Sequence, residues 1–213
     1  MPAEDIRPGQ KGECLTVFEG STIEPFSFVV KGRMKNYLGP NRDLIMIRLL
    51  GKKPEFTGVV SGMSGSPCSI DGKLIGALGY AFAKFAKEPI AGVTPIKDML
   101  AVTELPDEKR PWRLPGDLDE PISWKSFSEG DLPQGSLRTS NERMDPIALP
   151  LTVSGISPEL FKEFSPWLRK MGYEPVAGGA GGADSVEVSS ERPFEPGSPI
   201  TGVLVHGDIT MVS

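Results

Sequence analysis

Histidine is almost missing from this chain: its 213 residues hold one, His206, in Val205-His206-Gly207-Asp208. One imidazole and two distant cysteines, Cys14 and Cys68, give no metal-ligand spacing, so no metal site is expected. No cofactor is expected either. Apolar runs of roughly 18 residues are also lacking, which leaves nothing in the sequence to cross a membrane as a helix. There is no excess of positive charge: 23 Lys and Arg stand against 28 Asp and Glu, for a net charge of −5 and a sequence pI of about 5.1. Generic attraction to nucleic acid or to anionic lipid is thereby excluded. Met1-Pro2-Ala3-Glu4-Asp5 is acidic where a signal peptide would be basic and then apolar. Two cysteines do not settle the redox compartment. They can pair, but Cys68, beside a serine loop, reads more simply as a small buried hydrophobe.

Turn-forming residues are abundant. Gly 25 and Pro 21 exceed the usual share and favour short strands over helices. The chain is long enough to bury a sizeable core, as one large or two small domains.

The stretch Thr57 to Tyr80 organises the sequence. A short apolar run, Thr57-Gly58-Val59-Val60, reads as a strand and enters the loop Ser61-Gly62-Met63-Ser64-Gly65-Ser66-Pro67. Cys68 to Ile70 starts a strand, and Asp71-Gly72 is a strong hairpin signal. Lys73 to Tyr80 returns as a second strand. Ser64 and Ser66 therefore sit on a tight loop where backbone can approach a ligand closely. Glycines with positive φ can turn successive N–H groups toward one point. That arrangement stabilises an oxyanion, with Gly62 and Ser64 as donors and the Ser64 hydroxyl between them. The pattern is not the G-x-S-x-G elbow, because position 66 is serine and Pro67 argues against a helix there.

The run Gly62-Met63-Ser64-Gly65-Ser66-Pro67, followed by Asp71-Gly72-Lys73-Leu74-Ile75-Gly76-Ala77, resembles the SpoIVB-type peptidase family. These are serine peptidases of the chymotrypsin-like superfamily. The likeness takes in Arg7-Pro8-Gly9-Gln10-Lys11-Gly12 and Lys31-Gly32-Arg33-Met34-Lys35-Asn36 upstream, and Ala91 to Leu100 downstream. It spans about residues 5 to 103. The resemblance implies a chymotrypsin-like β-barrel, Ser64 as nucleophile, a peptide or protein substrate, and an exported or cell-envelope location. The family pairs its serine with a histidine in a Gly-His motif, which this chain lacks. Longer proteins with this N-terminal pattern carry a Gly-His-Pro further on. The resemblance thus suggests the N-terminal part of a longer member, with a downstream domain. As this chain the peptidase is expected to be incomplete or inactive, since a serine without a general base hydrolyses poorly.

The expected architecture is mainly β: a barrel domain over 1–103, a linker over 104–146, and a small α+β segment over 147–213. Cys14, Thr16 and Phe18 alternate against Leu15 and Val17 in one strand. Phe26, Phe28 and Val30 share a face, and Asp43 to Leu50 reads as a central strand. Tyr80 to Lys87 is ambiguous between helix and strand, with Lys84 and Lys87 as a solvated pair. Thr94 and Pro95 read as N-cap and first residue of a helix, as do Ser157 and Pro158. Pro166 predicts a kink or two short helices. Trp112, Trp124 and Phe127 are expected to dock the linker onto a flanking domain. The glycines between Ala177 and Asp184 lack the lysine of a phosphate-binding loop and read as a flexible loop. Ser66, His206 and Asp43 remain secondary catalytic candidates: Ser66 as an alternative nucleophile, His206 as base or turn residue, Asp43 as triad acid or strand cap. The competing functional reading is a non-catalytic protease-like module that binds a peptide or partner by strand addition.

Overall fold

Period-two alternation builds the first sheet. In β1 (Lys11–Val17) it buries Cys14 and Thr16, and in β2 (Ile23–Gly39) it buries Phe26, Phe28 and Val30. β3 (Arg42–Leu50) buries Leu44, Ile45, Ile47 and Leu49, as its nearly unbroken apolar run predicts for a central strand. This computed structural model describes residues 1–18, 22–82, 88–101, 103, 144–178 and 193–213. Lys84 and Lys87, the aromatics Trp112, Trp124 and Phe127, and most of the glycine-rich stretch lie outside the described residues.

β4 (Pro67–Ile70), β5 (Lys73–Phe82) and β6 (Ile90–Pro95) complete a six-stranded antiparallel barrel in the order β4-β1-β2-β3-β6-β5, closed by pairing of β4 with β5. Closure pairs β4 with the Lys73–Ala77 part of β5, so neither is left with an open edge there. β2 runs on to Gly39 and turns at Pro40-Asn41. Asp71 and Gly72 take φ of 50° and 72°. Two positive φ values in a two-residue hairpin match the type I′ turn predicted for Asp-Gly. A further strand, β7 (Met144–Pro146), pairs antiparallel with the end of β5. Its residues fall within the stretch read from sequence as linker.

Two local expectations are corrected. The run before the serine loop is not a strand: α1 (Lys52–Thr57) ends there, fenced by Gly51 and Gly58 at positive φ. Thr94 and Pro95 do not open a helix. They end β6, and α2 (Ile96–Ala101) follows directly with no residue buried. β6 claims Thr94 through its pairing with Ala77, and ladder hydrogen bonds outweigh a capping preference. A third correction concerns Cys68. β1 and β4 pair in a register that sets Cys14 opposite Cys68, both wholly buried, and the two form a disulfide.

The second sheet has the order β10-β11-β8-β9, with β8 (Leu149–Ser154) parallel to β9 (Tyr173–Ala177). β10 (Val203–Val205) and β11 (Thr210–Val212) form the hairpin read around His206-Gly207-Asp208. α3 (Pro158–Lys170) connects β8 to β9 and lays Phe161, Phe164 and Leu168 against Leu151 and Val153. It runs through Pro166 as one helix rather than two. Ser157 caps it as predicted, its Oγ accepting the Leu160 N–H at 3.3 Å. The Glu159 carboxyl is held below its usual range by its own backbone N–H and by the Ser157 hydroxyl. Ser157→Ala is expected to cost about 1 kcal/mol. Chemical denaturation followed by tryptophan fluorescence, with Trp167 in this core, should show that loss against the parent chain.

Candidate active site

Two consecutive tight turns make the serine loop. Met63 N–H donates to Val60 O at 3.2 Å, and Ser66 N–H donates to Met63 O at 3.2 Å. Each turn has glycine at its third position: Gly62 at φ 91° and Gly65 at φ 86°. A turn that needs positive φ at that position takes glycine there without strain. This is the local physical reason for Gly-x-Ser-Gly.

The loop is pinned on both flanks. Met63 is completely buried in the barrel core. Gly65 N–H donates to Leu78 O at 2.7 Å, and Leu78 N–H donates to Ser66 O at 2.9 Å. These bonds fasten the corner to β5. Between the anchors, Ser64 is half-buried and Gly62 is exposed. Among the described residues, neither the Gly62 N–H nor the Ser64 N–H donates a hydrogen bond, and the Ser64 hydroxyl makes none. Unpaired backbone donors are uncommon unless water or a ligand meets them. The corner therefore offers two amides and a hydroxyl to whatever enters from solvent.

Of the secondary candidates, Ser66 shares the corner, while Asp43 and His206 lie elsewhere in the fold. Ser66 is 6% exposed; its N–H closes the second turn on Met63 O, and its carbonyl ties the loop to Leu78 of β5. Asp43 spends both carboxylate oxygens in the β2–β3 hairpin, one accepting the Asn36 N–H at 2.9 Å, the other 3.4 Å from Arg33. His206 is exposed in the β10–β11 connection of the second sheet. Among the described residues no hydrogen bond or ion pair joins either of them to Ser64, and no group of His, Cys, Asp and Glu is arranged to hold a metal.

A groove of roughly 150 Å³ runs beside the corner. Its lining includes Ser61 at the start of the corner, Ala81 and Phe82 of β5, and Asp145 to Ala148. Sequence reasoning missed the contribution of Asp145 to Ala148. Met144-Asp145-Pro146 is too short for a periodic signal, and its partner strand lies more than sixty residues away.

Residues 2–100 match the model of the SpoIVB peptidase S55 family. No curated protein and no solved structure is significantly similar to the chain. No helix of the described residues is long and apolar enough to cross a membrane. The matched region holds all six barrel strands and the Ser64 corner, so the likeness to the SpoIVB peptidase S55 family covers the whole barrel.

Proposed function

We propose that this chain carries a serine endopeptidase site of the SpoIVB type, with Ser64 as nucleophile and the Gly62 and Ser64 amides as oxyanion donors. One observation carries the reading. Two glycine-hinged turns leave two undonated N–H groups flanking a half-buried hydroxyl, fixed to the barrel by Met63 and Leu78. Donors fixed before the reaction stabilise developing negative charge without reorganising. In such a site the Ser64 oxygen attacks a peptide carbonyl, its proton passes to a base, and the carbonyl oxygen becomes the anion held by the amides. The described residues bring no imidazole to Ser64, so unaided hydrolysis is expected to be weak.

A fluorophosphonate probe tests this. Slow labelling at Ser64, mapped by mass spectrometry, is the expected result. Added imidazole should accelerate it beyond the effect of salt, by supplying the missing base. Labelling should vanish in Ser64→Ala and persist in Ser66→Ala. A chain that stays unlabelled across the imidazole series would end the catalytic reading.

The exposed position of His206 on the second sheet supports the other reading, a protease-like module that binds an extended peptide without cutting it. Pull-down of peptide partners by the Ser64→Ala chain separates the two readings. Binding that survives the substitution, in a chain that never labels, favours the module.

A further inference from the structure

One edge of β5 carries both the serine corner and a strand from much later in the chain. On that edge Leu78 is bonded to Gly65 and Ser66. The next residue, Gly79, is skipped in the pairing of β5 with β6, where the register shifts between Leu78 and Tyr80. Such a bulge re-aims the backbone. From Gly79 onward the edge is taken by the late segment: Ile147 N–H donates to Gly79 O at 2.9 Å, and Tyr80, Ala81 and Phe82 face Pro146, Asp145 and Met144. The two run antiparallel, so the segment approaches the serine corner as its numbering rises, and Ile147 is its last residue bonded to β5. A peptide reaching Ser64 by strand addition to β5 would need this same edge.

The segment is held by its ends. The Tyr37 hydroxyl accepts the Met144 N–H at 2.8 Å and lies 3.1 Å from the Met144 carbonyl, positioned to donate to it. Met144 is 1% exposed, and Ile147 joins the main barrel core. Asp145 and Pro146, between them, are exposed. Two buried anchors, one hydrogen-bonding phenol and a three-residue ladder make an attachment far smaller than that of a barrel strand.

We propose that Met144–Ile147 is an intramolecular strap. It occupies the peptide-binding edge of β5, and an extended peptide with an apolar residue at the Ile147 position must displace it to reach the serine corner. The inference rests on the peptidase reading only for what the peptide then meets at Ser64. Occupancy of the edge is measured without that chemistry.

The test uses the full chain carrying Ser64→Ala, so that no probe is cleaved. A dye-labelled peptide of sequence Met-Asp-Pro-Ile-Ala-Leu, copying Met144 to Leu149, is titrated and followed by fluorescence anisotropy. Met144→Asp places a charge where a buried thioether sits and should expel the strap. The peptide is expected to bind that variant at least about tenfold more tightly than the parent. Tyr37→Phe removes the phenol's two hydrogen bonds without opening the core, and should tighten binding about fivefold even where Met144→Asp fails to fold. Equal affinity for the parent and for every folded variant would overturn the proposal. Loss of fluorophosphonate labelling in the Ser64 chain, with peptide binding still strap-dependent, would instead remove only the catalytic reading.

Discussion

Removing the disulfide with the double substitution Cys14→Ala, Cys68→Ala is expected to lower the barrel's unfolding free energy by about 4 kcal/mol. The bond closes a loop with a sequence separation of 54, and cross-linking a loop of that length restricts the unfolded chain by about that amount. It also ties β1 to β4, and β4 opens at Pro67 directly after the serine corner. The loss therefore falls where the site is held. Guanidinium denaturation of the oxidised chain, the reduced chain and the double variant is the measurement. The last two should unfold at similar denaturant concentrations, well below the first. Three superimposable curves would show that β1 and β4 stay paired without the bond.

Gly76→Ala is the second large effect, with an expected loss of roughly 3 kcal/mol or more. Gly76 takes φ of 155°, and a methyl group there would run into the Thr94 carbonyl on β6. That carbonyl belongs to a paired strand and cannot swing aside as a side chain can. Gly79→Ala is the control. Its methyl would meet only the Thr94 hydroxyl, at 3.3 Å, and is expected to cost no more than about 1 kcal/mol. Thermal melts of the two variants should separate clearly. Similar melts would mean that β6 yields at Thr94.

Much of this could be read along the chain, wherever the cause is local. The alternation of Phe26, Phe28 and Val30 and the apolar run of β3 report a buried face directly. Asp71-Gly72 and Ser157-Pro158 act within four residues, so both the hairpin turn and the helix cap appear where the residues suggest. The Gly-x-Ser-Gly corner belongs to the same class, since its turns need only glycine at Gly62 and Gly65. Where a long-range partner intervened, local preference lost: Thr94 has a capping side chain but pairs with Ala77, and Pro95 ends a strand instead of starting a helix.

The residue order alone determined a barrel of short strands, the small-residue corner at Ser64 and the family likeness that covers them, because period, turn chemistry and motif spacing are properties of neighbouring residues. Tertiary structure decided that Cys14 meets Cys68, that a methyl group at Gly76 would run into a backbone carbonyl where one at Gly79 meets only a hydroxyl, and which segment lies on β5 beside the corner. Each of these depends on strands far apart in the chain becoming neighbours. The free energy of such pairing comes from the shared core and ladder, which no single stretch of the sequence contains.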